Sequence, residues 1–237
     1  EPGASMGKSH IDKILDVQRK IAELFPECVL VGGTAVAMRR RHCISFDADS
    51  MMESLKQNFE EVLRRLEALS GWETRRVRPP ILILGHFQGI DIGIRQLIRK
   101  KPLEVEEICG IKIPTEGELL RIKAWLIVTR NATRDYVDFA ALCDGVTEEE
   151  ISKAMSIFDE CYPQPEGAEK ASLQLVRMLS IAKPYDLSEV DLTIYKGIVS
   201  PYNSWKYVKE ICLQIADLLF DKLFIEEGED HDPSPYR

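Results

Sequence analysis

The 237-residue chain has no apolar run approaching the length of a bilayer span, no C-x-x-C pair, no Cys/His ligand spacing and no internal repeat. Each absence removes a class. Without a long apolar run there is no membrane-spanning helix and no membrane partner. The six cysteines, Cys28, Cys43, Cys109, Cys143, Cys161 and Cys212, are scattered, which argues against zinc and for buried free thiols. With 45% apolar and 30% charged residues, the composition excludes a disordered chain. Residues 1–5 read as a remnant ahead of Met6, and no apolar segment of the signal-peptide kind follows, so the expected location is the cytoplasm.

What the chain does have is an uneven charge. Its net charge is −8, yet residues 36–101 hold 13 Lys and Arg against 8 Asp and Glu, whereas residues 136–237 hold 9 against 20. A polyanion would therefore meet the first half. The Arg39-Arg40-Arg41 and Arg75-Arg76 clusters read equally well as solvated surface.

Periodicity gives an α+β fold: a mixed sheet with flanking helices, followed by an all-helical half. An amphipathic helix over 9–25 precedes a short strand at 28–31, a glycine turn, and a helix over 34–41. A strand over 44–51 and a helix over 53–69 follow, then strands at 72–77, 81–86 and 89–94. After a Lys/Glu-rich connection and a strand at 111–113, helices are expected over 116–129, 133–143, 148–159, 169–181, 188–196 and 203–224. Two capping boxes, Thr115 with Glu118 and Thr147 with Glu150, mark starts in that half. The expected domains are an α/β domain at 6–114, a helical domain at 115–225 and a disordered acidic tail at 226–237.

Three features bear on chemistry. In Val31-Gly32-Gly33-Thr34 a glycine pair stands between an apolar run and a helix, where backbone N–H groups can hold a triphosphate through Gly32, Gly33 and Thr34. In Ser45-Phe46-Asp47-Ala48-Asp49 two acids at i and i+2 on a strand share a face and can hold magnesium. Asp91 stands alone in Gly89-Ile90-Asp91-Ile92-Gly93, flanked by apolar residues among which a partnerless carboxylate is costly to bury. Two magnesium ions on Asp47, Asp49 and Asp91 would stabilise the attacking and leaving oxygens of a phosphoryl or nucleotidyl transfer, with Asp91 near the attacking hydroxyl. An edge strand with Asp91 in solvent is the competing reading.

A second cluster lies in the helical half. Lys123, Ile127 and Arg130 share a helix face, so the two cations can reach one anion. Arg134 and Asp138 are spaced to pair, which leaves Asp135 for another partner. An interdomain salt-bridge network explains these residues as well as a site does.

Across about residues 28–142 the ordered set G-G-T-x-x-A, S-x-D-x-D, an apolar-flanked Asp and K-A-x-x-x-x-x-R-x-x-x-R-D-x-x-D resembles the nucleotidyltransferase-like AbiEii/AbiGii toxin proteins, a branch of the DNA polymerase β-type nucleotidyltransferase superfamily. The resemblance implies that Gly32 and Gly33 hold nucleotide phosphates and that Asp47, Asp49 and Asp91 are the metal carboxylates. It also implies that Lys123 approaches the nucleotide and that Asp135 is a catalytic acid, with Arg130, Arg134 and Asp138 accompanying them. Ala48 departs from the larger apolar residue usual between the paired acids. The implied activity is magnesium-dependent transfer of a nucleoside monophosphate from a nucleoside triphosphate to a hydroxyl of an RNA, transfer RNA among them, or of a protein. The implied partner is an antitoxin. The alternatives are a nucleotide-binding protein without turnover and an enzyme modifying a small, antibiotic-type acceptor.

Overall fold

The first amphipathic segment folds as α1 (Gly3–Leu24), which buries Ile14, Val17 and Ile21 along one stripe. The computed structural model describes residues 3–229, and the chain divides into two compact units between Leu119 and Leu120. In the first unit α1 is followed by β1 (Val29–Leu30), α2 (Gly32–Arg40), β2 (Asp47–Met52), α3 (Leu55–Glu67), β3 (Trp72–Arg78), β4 (Leu82–Phe87) and β5 (Ile90–Gln96). A separate hairpin, β6 (Val105–Ile108) and β7 (Ile111–Pro114), completes its strands.

The five-stranded sheet has the order β1-β2-β5-β4-β3. Only β2 and β5 are parallel, because the chain runs through α3, β3 and β4 before returning beside β2. The β4–β5 hairpin closes through the two-residue turn Gln88-Gly89, both with positive φ, which matches the strand twist of a type I′ turn. Alternation then sorts the strands into faces. Ala48, Ser50 and Met52 of β2, Ile92 and Ile94 of β5 and Ile83 of β4 are buried in the core with Leu55, Phe59, Val62 and Leu66 of α3. Gln18 donates to Ser50 Oγ at 2.9 Å inside this core, so neither polar group is left unpaired. The α+β architecture is the one the periodicity predicts.

The second unit is helical. It comprises α4 (Glu116–Arg130) from Leu120 onward, α5 (Thr133–Cys143), α6 (Glu148–Met155), α7 (Phe158–Cys161), α8 (Ala171–Ser180) and α9 (Trp205–Glu229). α9 packs against α5, α6 and α8, burying Val208, Cys212, Ile215, Ala216 and Leu219 at helical spacing. Trp125 stacks on Tyr162 with ring centroids 4.7 Å apart.

Several expectations are corrected. The Lys/Glu-rich connection contains β6, whose largely exposed side chains give no apolar signal. The helix expected over 148–159 breaks after Met155, where Ser156 Oγ donates back to the Lys153 carbonyl at 2.9 Å. No helix runs over 188–196, because Asp191 Oδ1 accepts from both Thr193 N–H and Thr193 Oγ, a local turn that competes with helix; a single 3₁₀ turn follows at Tyr195–Gly197. Thr147 and Glu150 form the full capping box. Thr115 supplies only half of one, since Glu118 instead accepts from the Glu104 N–H and pairs with Arg99. That engagement ties the first turn of α4 to the first unit, five residues beyond the expected boundary. The tail expected at 226–237 is helical as far as Glu229, and from 230 it lies outside the described residues. Of the cysteines, Cys28, Cys143, Cys161 and Cys212 are buried thiols, while Cys109 is exposed. Burial pushes the Cys28 and Cys212 thiols up to about 12.

Candidate functional site

The parallel pairing of β2 with β5 sets Asp47 opposite Asp91 and Asp49 opposite Gly93. Directly paired residues lie about 4.8 Å apart and share a face. Asp47, Asp49 and Asp91 therefore stand together on the side of the sheet away from the α3 core. The competing reading of Asp91 fails in its edge strand, because β5 is flanked by β2 and β4, and holds in its exposure to solvent.

Gly93 shapes this cluster. A Cβ there would stand 2.1 Å from Asp49 Oδ1, so only glycine leaves room for that carboxylate to lie across β5. Arg95, two residues further along the same face, places Nε 3.6 Å from Asp49 Oδ1. From β4, His86 pairs with Asp91 in the ladder, and its Nδ1 stands 2.7 Å from Asp91 Oδ1. Asp91 keeps a side chain 75% exposed, whereas that of Asp49 is 29% exposed.

The glycine turn abuts the same cluster. Val31 N–H donates to the Asp49 carbonyl at 2.8 Å, and α2 starts at Gly32, whose φ of +74° is the left-handed conformation that glycine adopts without strain. The site of a Gly32 Cβ is 3.6 Å from Asp49 Oδ2. No side chain caps α2, so the backbone amides at Gly32, Gly33 and Thr34 begin the helix beside a carboxylate without a side-chain acceptor. Thr34 itself is buried, and its hydroxyl donates to the Asp47 carbonyl and touches Ser45 Oγ, which in turn donates to Asp47 Oδ1 at 3.1 Å. The Thr34 side chain thus orients Asp47, and only its backbone amide can serve a phosphate.

The arginine cluster after α2 is structural in part. Arg39 pairs with Glu106 and donates to the Pro114 carbonyl, and Arg40 pairs with Glu116. Arg76 and Arg78 of β3 are exposed and register with Leu84 and Leu82, which pair with Gly93 and Arg95. They lie on the same face as the three aspartates.

The helical-half residues form a network of their own. Lys123 Nζ lies 2.6 Å from Asp138 Oδ2 and 3.4 Å from Asp135 Oδ1, while Arg130 donates to Asp135 Oδ2 at 2.8 Å. Lys123, Asp135 and Asp138 are buried. Burial works to lower the Lys123 pKa, but Asp138 and Asp135 outweigh it and hold the amine above its ordinary value, as an ammonium. Asp135, left for another partner by the spacing, is held between Lys123 and Arg130, whereas Asp138 pairs with Lys123 where Arg134 was expected. Of the four, Arg130 has the open side chain, 38% exposed.

Sequence reasoning overlooked Gly93, His86 and Arg95 as site residues. Gly93 carried a signal, since a glycine inside a strand marks close approach of another group. Arg95 follows from period-2 counting along β5, whereas His86 required the β4–β5 register.

No family model matches the chain. The heme uptake protein MmpL11 of Mycobacterium tuberculosis is 29% identical over 130 residues, 52% of this chain and 13% of that protein, so the chain spans far less than two thirds of this relative. Among the described residues no helix is long and apolar enough to cross a membrane. Among solved structures, JHP933 from Helicobacter pylori aligns over 94% of this chain and 96% of its own, with a TM-score of 0.54 and 14% identity. A proposed nucleotidyltransferase from H. pylori aligns over 90% and 95%, with a TM-score of 0.50 and 15% identity. The chain has a nucleotidyltransferase-like fold.

Proposed function

We propose that the chain is a metal-dependent nucleotidyltransferase of the AbiEii/AbiGii type, moving a nucleoside monophosphate from a nucleoside triphosphate to an acceptor hydroxyl. The observation that carries this reading is the β2–β5 register, which pairs Asp47 with Asp91 and sets Asp49 against a glycine. The residues fit magnesium: every candidate ligand is a carboxylate oxygen, the donor that magnesium takes, and Gly93, with no Cβ, gives the Asp49 carboxylate room on that face. Asp47 and Asp49 would hold both ions and Asp91 the one nearer the acceptor. Bound there, magnesium supplies Lewis-acid stabilisation of the attacking and leaving oxygens.

The remaining work falls to groups of the chain. The amides at Gly32, Gly33 and Thr34, with the positive end of the α2 dipole, hold the triphosphate. Ser45 and Thr34 fix the rotamer and backbone of Asp47. With Asp91 ionised, His86 Nδ1–H donates to Asp91 Oδ1, and Oδ2 remains to take the hydroxyl proton of the acceptor. Lys123 and Asp135, which the resemblance places at the nucleotide, are engaged by one another and by Asp138 and Arg130, and we assign them to holding the helical unit together.

The acceptor reading favoured is a polyanion, an RNA such as transfer RNA, because Arg76 and Arg78 flank the carboxylates on the same face. Incubation with each labelled triphosphate, magnesium and total RNA should label RNA, with a yield that falls steeply as salt rises. No transfer to RNA, protein or a small hydroxyl acceptor under any combination would sink the reading. A toxin role predicts growth arrest on expression, relieved by a separately encoded antitoxin.

A further inference from the structure

Asp91, Gly93 and Arg95 occupy alternate positions of β5 and so line one row of the carboxylate face. Because Gly93 has no side chain, Asp49 leans over it and its Oδ1 comes within 3.6 Å of Arg95 Nε. This pair is made through one nitrogen at long range, and the Arg95 side chain is 46% exposed, so it is weakly held and free to turn. Arg95 is thus a cation placed against a carboxylate that the nucleotidyltransferase reading gives to a metal.

We propose that Arg95 is an exchangeable counter-charge: it neutralises Asp49 in the metal-free protein, gives up that carboxylate when a divalent cation is bound, and then ligates the triphosphate of the incoming nucleotide. The inference rests on the nucleotidyltransferase reading. A doubly charged cation outcompetes a long, half-exposed guanidinium at a carboxylate, and once both are present the two cations repel. The triphosphate held at α2 begins beside the same Asp49 and is the anion that a displaced Arg95 meets. Its planar fork suits phosphate oxygens better than a point charge does. Loading the metal would thereby complete the nucleotide site, giving an ordered assembly in which cation precedes or accompanies nucleotide.

The test is calorimetry on wild type, Arg95→Gln and Arg95→Lys, with Mn²⁺ alone and then with each non-hydrolysable triphosphate at saturating Mg²⁺. Arg64→Ala, an exposed arginine of α3 on the other side of the sheet, is the control, and thermal melts check folding. Arg95→Gln should bind Mn²⁺ alone several-fold more tightly and the preferred triphosphate about tenfold more weakly, roughly the loss of one charge-assisted hydrogen bond. Arg95→Lys should restore wild-type Mn²⁺ affinity and recover part of the triphosphate affinity, and Arg64→Ala should change neither. A merely structural ion pair predicts a lower melting temperature with no opposed changes in affinity. Mn²⁺ affinity unchanged or weaker in Arg95→Gln, or unchanged triphosphate affinity, overturns the exchange while leaving the nucleotidyltransferase reading in place. If wild type binds neither Mn²⁺ nor any triphosphate, both fall.

Discussion

Asp135 and Asp138 in the helical unit and Asp47, Asp49 and Asp91 in the sheet unit are the same residue type in opposite surroundings. The first pair is buried and bound to Lys123 and Arg130, so its charge is spent inside the protein. The second set stands together on an open sheet face beside a glycine that makes room, with His86 and Arg95 on its margin. Three acids gathered on one face repel each other, and folding tolerates this where a ligand later compensates. On the reading proposed above, the buried, doubly paired acids serve the scaffold and the more open set of three would serve a cation.

The sharpest way to break this contrast is to remove one acid of the open set. Asp49→Ala should lower nucleotidyl transfer by about 10²–10³-fold or more, the size of effect seen when charge stabilisation of a transition state is lost. Its thermal melt should change little, since the repulsion relieved offsets the long, half-exposed pair with Arg95 that is given up. A variant that melts much lower, or that still transfers, erases the distinction.

The mirror experiment is Lys123→Met in the buried set. Leaving Asp135 and Asp138 short of a buried cation should cost about 3–5 kcal/mol in denaturant unfolding. The folded pKa of Lys123 is raised, so its contribution is complete below the unfolded value of 10.5 and is lost as pH rises through the folded one. The stability gap between wild type and variant should therefore hold from pH 6 to 9 and narrow only in strongly alkaline solution. A variant as stable as wild type but inactive would return Lys123 to the nucleotide.

Gly93→Ala tests the opening itself. Its Cβ would collide with Asp49 Oδ1, so Asp49 must turn away. Transfer and Mn²⁺ affinity should each fall by about tenfold with little loss of stability, because the group displaced is the end of the part-exposed Asp49 side chain. Smallest of all, Thr147→Ala removes the α6 cap and should cost about 1 kcal/mol with transfer unchanged.

The three acids were readable from the chain because strand alternation and apolar flanks mark them locally. Their meeting was not, since it depends on β5 pairing with β2 across 44 positions of sequence, a choice made by the whole sheet. The same limit hid the partners of Asp135: Lys123 lies on α4 and Asp135 on α5, and counting along one helix cannot report a contact between two. β6 escaped notice because its exposed polar face carries no hydrophobic period. Elements and their faces follow from spacing, whereas pairings follow from assembly.

The turn at Gln88-Gly89 has a consequence for how this chain can vary. It is a two-residue surface connection, the kind of place where added length is ordinarily harmless. Here its length works as a reading frame. One extra residue carried into β5 would rotate Asp91 toward the apolar side and bring Ile90 or Ile92 opposite Asp47, leaving the sheet formed and the three acids no longer on one face. In any lineage that keeps the chemistry, insertions should accumulate elsewhere on the surface and stop at this turn.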